Sequence, residues 1–335
     1  MADLLSITAP IFLVIALGFV ATRIGAIKAD FVQGLGLFVL NFALPALILR
    51  ALLGQDLRES FNAAYVAAYA GGSLVAFLAA FVVFRHWLRR PLPHAAMASL
   101  GGAASNSGFV GFPIAALAVG IPALTALPLT MLVENALVIP LAFVLAEAGR
   151  ADGKTPALVA RETLQRLART PLFVAILLGL LLAGLGVRLP ASISTVVAMI
   201  ADASAACALF VVGGTLAGLT ASSIPGDLVW IVLAKLVLHP LSVAAGFVVL
   251  GGVPADLMAA GIILASAPML TVYPIFGQRF GLGPLCASAL VAATAVSFVT
   301  MTAAVGLLET GEASTRLTGV PAERQTGFQE SHSWR

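Results

Sequence analysis

Charge is what this chain has least of. Only 10% of its 335 residues are charged while 60% are hydrophobic, whereas a soluble domain is nearer a quarter charged. A water-soluble globular fold is therefore excluded, and a net charge of +3 is too small to argue for nucleic acid. The two cysteines, Cys207 and Cys286, both sit inside apolar runs and read as small buried hydrophobes, so neither a disulfide framework nor a metal site is expected. The four histidines, His86, His94, His239 and His332, are scattered. They do not form the His/Asp/Glu cluster that a membrane enzyme would need, and no enzyme activity is expected. No GxxxxGK[ST] segment is present, which argues against ATP-driven pumping by this chain alone. No continuous polar face suggests a channel. The first apolar run starts at Leu4 without a basic stretch before it, so it is expected to stay as a span rather than be removed as a signal peptide.

What the chain does have is long apolar runs. Each is close to 20 residues, the length of a spanning helix, and about twice that of a barrel strand. The expected fold is an all-α integral membrane protein with ten spans: Leu4–Thr22, Phe31–Leu53, Asn62–Phe84, Ala95–Val119, Leu124–Glu147, Leu172–Val187, Ser194–Leu219, Leu228–Leu250, Asp256–Phe280 and Pro284–Leu308. The connections are short except for 148–170, a basic linker expected to hold a short amphipathic helix on the membrane surface. Residues 309–335 form a polar tail expected to be disordered. The two halves are 1–147 and 171–308. Basic residues set the orientation. The odd-numbered connections hold eleven of them (Arg23, Lys28, Arg85, Arg89, Arg90, Arg150, Lys154, Arg161, Arg166, Arg169 and Arg279), and the even-numbered ones only Arg58 and Arg188, with Arg50 near a helix end. The odd connections, 148–170 included, should face the cytoplasm, with both termini outside an inner (plasma) membrane.

The fourth and ninth runs share a feature that no plain spanning helix needs. "PHAAMASLGGAASNSGFVGFPIA" from Pro93 aligns with "PADLMAAGIILASAPMLTVYPIF" from Pro254 at a constant offset of 161, pairing Pro93 with Pro254, Ser105 with Ser266 and Pro113 with Pro274. Five spans separate the two, an odd number, so the halves are expected to lie inverted in the bilayer. Both segments carry helix breakers mid-run. Backbone that leaves the helix in hydrocarbon costs several kcal/mol per unsatisfied group, so it belongs where it is buried in protein or lines a cavity. Pro113 and Pro274 suit the first turn of a new half-helix. The N-termini of such half-helices carry free N–H groups and partial positive charge, and favour an anion, above all a carboxylate. Asn106, Ser107, Gly108, Thr271 and Tyr273 are the candidate lining and donors there.

The segments "NFALPALIL" (Asn41–Leu49), "NSGFVGFPIA" (Asn106–Ala115), "KLVLHPL" (Lys235–Leu241) and "APMLTVYPIFGQRFG" (Ala267–Gly281) resemble the auxin efflux carrier family, and within it the bacterial branch of malonate or organic-acid permeases. The resemblance covers nearly all ten spans in order. It implies two inverted five-helix repeats with crossed fourth and ninth helices. It also implies a scaffold domain from the first two helices of each half, a transport domain from the other three, and a homodimer through the scaffold. The long central loop of the plant carriers is reduced here to 148–170, so regulation through it does not carry over.

Ionisable and polar residues inside spans are few, and each is a candidate for function. Lys235 and His239 lie four apart on one face of the eighth span, able to neutralise an anionic substrate or pair with a carboxylate; a structural pair is the alternative. Glu134 in the fifth span could carry a coupling proton, and Asn135 beside it is placed to face the crossing. Asp202 reads equally as a cap, Asn41 and Pro45 as a kink, and Tyr65 with Tyr69 as packing. The leading expectation is a secondary active or facilitative carrier of a small organic carboxylate, a malonate- or auxin-like anion, with no bound cofactor; Glu134 suggests H+ as a coupling ion. The alternative is a sodium-coupled symporter of the bile-acid type, drawing oxygen ligands from Ser105, Asn106 and Ser266.

Overall fold

The computed structural model describes residues 2–54, 61–149, 158, 161–162, 165, 169–187, 189–219 and 225–317. Among these, all regular structure is helical. In chain order the helices are α1 (Ala2–Arg23), α2 (Ala29–Leu53), α3 (Ala63–Trp87), α4 (Leu92–Val119), α5 (Ile121–Ala148), α6 (Pro171–Gly184), α7 (Ala191–Gly218), α8 (Gly226–Leu250), α9 (Ala255–Ser266), α10 (Tyr273–Gln278) and α11 (Gly283–Leu317). Seven of them (α2, α3, α4, α5, α7, α8 and α11) are long and apolar enough to cross a membrane. Ala9–Arg23 of α1, α6 and α9 are shorter apolar helices. The protein is thus a multi-pass membrane protein. α11 runs past the expected end at Leu308 to Leu317. Most of the 148–170 linker and residues 318–335, with the surface helix and the end of the polar tail expected there, lie outside the described residues.

Helices without a hydrophobic force between them associate by close backbone approach at small residues, and the glycines mark where this happens. α1 crosses α7 at Gly18 and Gly213: a Cβ on Gly18 would lie 2.2 Å from the Phe210 carbonyl oxygen, and one on Gly213 would lie 1.8 Å from that of Ile15. α6 meets α2 at Gly179, against Leu52. α3 and α8 interlock through Gly72, against Val243, and Gly246, against the Ala68 carbonyl. Gly18 and Gly179 stand 161 residues apart, the spacing of the paired breaks. So do Gly25 and Gly186, and Gly120 and Gly281, four loop glycines that all have positive φ (75°, 66°, 68° and 73°), a conformation that a Cβ disfavours.

Four of the prolines inside these helices are accommodated in the same way, whereas Pro10 and Pro128 sit in regular α-helix. Four π-helical turns, Val39–Ala43, Ser107–Gly111, Glu134–Val138 and Ala234–Leu238, each end two residues before a proline: Pro45, Pro113, Pro140 and Pro240. Proline cannot donate to the helix ladder, and its ring collides with the carbonyl four residues back. A turn widened by one residue relieves both problems and leaves the helix continuous. Asn41 lies in the first of these turns and is exposed.

Two helices do break. α4 unwinds at 104–106, where Ala104 is extended (φ −111°, ψ 133°) before helix resumes at Ser107. The chain between α9 and α10 unwinds at 267–272, beginning with Ala267 (φ −61°, ψ 152°), which the following Pro268 holds out of the helical region. α4 is the most enclosed of the seven long helices: 78% of its most apolar window is buried, against 33–56% in the others. Its unwound backbone is therefore inside protein, as hydrocarbon demands.

Candidate functional site

The two breaks touch. Asn106 N donates to the Pro268 carbonyl at 2.7 Å, and the Asn106 side-chain Nδ2 donates to Thr271 Oγ1 at 2.7 Å. Each break thus satisfies polar groups that the other exposes. The first helical bond after the α4 break runs from Val110 N to Asn106 O, so the N–H groups of Ser107, Gly108 and Phe109 form the open first turn of the new half-helix. This places that N-terminus at Ser107 rather than at Pro113, as the sequence suggested: the Ser107–Gly111 π-turn comes first, and Pro113 follows it inside the helix. In α10 the expectation holds, with Pro274 in the first turn.

A cavity of about 630 Å³ lies against this contact. Ser105, Asn106, Ser107, Gly108, Phe109, Glu134, Asn135 and residues Leu270–Val272 line one side, and the first half of α2, the last turns of α7 and Leu172 of α6 line the other. Gln33 of α2 and Thr215 of α7 add polar atoms from that second side. The cavity thus runs from the crossing along the first half of α2 to the last turns of α7 and the start of α6.

Behind the cavity wall is a buried polar network. Glu134, 2% exposed, sits in the α5 π-turn, and its Oε1 accepts from Ser105 N at 3.0 Å and Ser107 Oγ at 2.8 Å. Lys235, 0% exposed, sits in the α8 π-turn. Its Nζ donates to Ser105 Oγ at 2.8 Å and to the Ala265 carbonyl at 2.7 Å, and lies 2.8 Å from His239 Nδ1. His239 Nε2 is 3.0 Å from Ser73 Oγ of α3. An ammonium with three N–H groups finds three acceptors here. With Lys235 protonated, His239 accepts at Nδ1 and donates from Nε2 to Ser73. Ser105 joins the two charges, its N–H on Glu134 and its hydroxyl oxygen on Lys235. Tyr65 OH pairs with Thr130 Oγ1, one turn before Glu134, at 2.7 Å. Tyr69 stacks on Tyr65 and meets the edge of His239.

Of the residues singled out from sequence, the structure brings Asn106, Ser107, Gly108, Thr271, Asn135 and Glu134 to the cavity surface, while Lys235 and His239 stand behind Ser105. The Asn135 amide also donates to Met131 O at 2.8 Å, bracing it on its own helix. Tyr273 is a correction: it is buried and donates its hydroxyl to the Met97 carbonyl at 2.9 Å, tying α10 to α4 instead of lining the cavity. Gly101 leaves room for it, since a Cβ there would lie 2.6 Å from the hydroxyl. Pro113 and Pro274 shape the half-helices and do not line the cavity. Asp202 is exposed and paired with Arg50 of α2. Asp227 Oδ1 accepts from Arg90 at 3.0 Å, His94 Nε2 lies 2.9 Å from Asp227 Oδ2, and Arg279 pairs with Glu147. Sequence reasoning missed Ser73, which carries no periodic signal. It met Ser105 only as an oxygen donor for sodium, although its place beside Asn106 in the break marks it.

Broken helices that meet at a cavity inside a multi-pass helical membrane protein fit a transporter, and the family and its relatives make it one rather than an enzyme. The chain matches the membrane transport protein family over residues 4–305 and belongs to it, the auxin efflux carrier family. It is similar to a protein of Rhizobium meliloti (strain 1021) named "Putative malonate transporter", with 29% identity over 312 residues, 93% of this chain and 98% of the relative. It is also similar to "Uncharacterized transporter YfdV" of Escherichia coli (strain K12), with 26% identity over 242 residues, 70% of this chain and 74% of the relative.

Proposed function

We propose that the protein is a secondary carrier of a small organic carboxylate, built as two inverted five-helix halves, which binds its anion where α4 crosses the α9–α10 segment. One observation carries this reading: the open first turn at Ser107–Phe109 and the Asn106–Thr271 pair face a single cavity of about 630 Å³, within the range of small-molecule sites. The glycine pairs at the 161-residue spacing support the inverted halves and the ten spans. The name of the Rhizobium relative makes malonate the first substrate to try. α1, α2, α6 and α7 form the scaffold and dimer face. The remaining helices carry the crossing and move against the scaffold. The basic connections face the cytoplasm of an inner (plasma) membrane, so the cavity opens inward. Both termini lie outside.

Glu134 supports proton coupling. Its carboxylate already takes Ser105 N–H and Ser107 Oγ–H, donors at the half-helix terminus that an incoming carboxylate would use. Protonating Glu134 weakens that hold and frees them, linking anion binding to proton binding. The test is uptake of radiolabelled malonate and related mono- and dicarboxylates into proteoliposomes at several pH values. Wild type transports at least one of them with a pH-dependent rate, Asn106→Ala loses most of that transport, and Glu134→Gln loses its pH dependence. Transport of none, or an indifferent Asn106→Ala, refutes the carrier site; a Glu134→Gln variant with unchanged pH dependence refutes the coupling.

A further inference from the structure

We infer that the Lys235 ammonium is a built-in cation at the place in the crossing where a carrier of this plan would hold a coupling metal ion, and that it makes transport independent of sodium. This rests on the carrier reading above. In transporters with discontinuous helices, the N-terminal ends of the half-helices take the anionic substrate, while unwound carbonyls and half-helix C-terminal ends take the coupling cation. Both kinds of end are present in this crossing. The N-terminal turn at Ser107–Phe109 faces the cavity. The Ala265 carbonyl belongs to the last turn of α9, where the helix leaves its final carbonyls without intrahelical partners. Lys235 Nζ sits on that carbonyl at 2.7 Å and on Ser105 Oγ, in the α4 break, at 2.8 Å. His239 Nδ1, at 2.8 Å, supplies its third acceptor.

The surroundings fit a cation that stays. Lys235 is fully enclosed, and its shell comes from α4, α8 and α9, with Ser73 of α3 behind His239 and Glu134 of α5 reached through Ser105. All five helices belong to the part of the molecule assigned above to the moving unit, so the charge travels with the site. The side chain is tethered by its own backbone and cannot leave into either compartment. A carrier with this site filled gains nothing from a sodium gradient. Its Ser105 and Ala265 oxygens are already occupied by the ammonium.

The experiment compares purified wild type, Lys235→Ala and Lys235→Gln, in sodium chloride and in choline chloride. Two readouts are taken: thermal unfolding without substrate, and malonate uptake in proteoliposomes. Wild type is expected to show no sodium effect on either. Lys235→Ala empties the site and leaves its oxygens in place. It is expected to lose roughly tenfold or more of its uptake in choline, and to melt about 3 °C higher in sodium at a concentration tenfold above the ion's dissociation constant. Lys235→Gln fills the site with an uncharged amide and gains no sodium response. The inference is overturned if sodium stabilises or accelerates the wild type, or if Lys235→Ala gains no sodium response in either readout. Failure of wild type to move malonate in both media counts against the carrier reading instead, and leaves the unfolding comparison to decide the cation site.

Discussion

The sharpest energetic consequence of the site is that Glu134 and Lys235 stand or fall together. Glu134→Gln keeps an acceptor for Ser105 N and Ser107 Oγ but removes the charge. A hydrogen bond to a charged group contributes about 1.5–3 kcal/mol and a neutral one about 1 kcal/mol, so the two weakened bonds cost about 2 kcal/mol. The substitution also leaves a fully buried ammonium without its counter-charge, which brings the total to the 3–5 kcal/mol or so typical of breaking a buried pair. Lys235→Met fills the same volume without charge, strands Glu134 in turn, and removes the donor to Ser105 Oγ, Ala265 O and His239 Nδ1. Its cost falls in the same range. In the double variant no unpaired charge remains, so its loss should fall below the sum of the singles by about 2–3 kcal/mol, a coupling expected only of groups that share partners. The assay is thermal unfolding of the detergent-purified protein followed by intrinsic fluorescence. At roughly 2 °C per kcal/mol for a chain of this size, each single variant melts several degrees below wild type, and the double melts within a few degrees of the worse single. Strictly additive losses would refute the idea that Ser105 couples the two charges.

Two further substitutions separate packing from function. Gly213→Ala drives a methyl to 1.8 Å from the Ile15 carbonyl oxygen, and because backbone on both sides must shift it should destabilise by about 3 kcal/mol or more; Gly71→Ala in α3, with nothing within 4 Å, should be neutral or stabilising by up to about 1 kcal/mol, and melting curves of the pair check the α1–α7 contact. Tyr273→Phe removes the hydroxyl that holds the Met97 carbonyl and should cost about 1 kcal/mol in stability while leaving malonate affinity unchanged; a large loss of affinity, measured by ligand-induced thermal stabilisation, would return Tyr273 to the binding site.

The seven long apolar helices were legible because hydrocarbon thickness sets the length of each run and leaves polar residues only at the ends or at sites of use. The paired breaks were legible because Pro113 and Pro274 repeat at the spacing of the halves. What was hidden has one physical cause: partners far apart in sequence carry no period. Lys235 and His239 could be placed on one face from their spacing of four, but nothing local announces that the ammonium rests on Ser105 and on a carbonyl of α9. Tyr273 was misassigned for the same reason, since its acceptor is a main-chain oxygen 176 residues away. The offset between Pro113 and the half-helix start at Ser107 follows a local pattern. A widened turn ends two residues upstream of Pro45, Pro113, Pro140 and Pro240, while Pro10 and Pro128 sit in regular α-helix. In three of those four turns, the first or second residue is one the site depends on: Ser107, Glu134 and Lys235. A π-turn leaves the regular ladder and can turn a side chain toward a neighbour that a straight helix would miss. Pro113, Pro140 and Pro240 therefore each stand one turn past a residue that lines or supports the cavity.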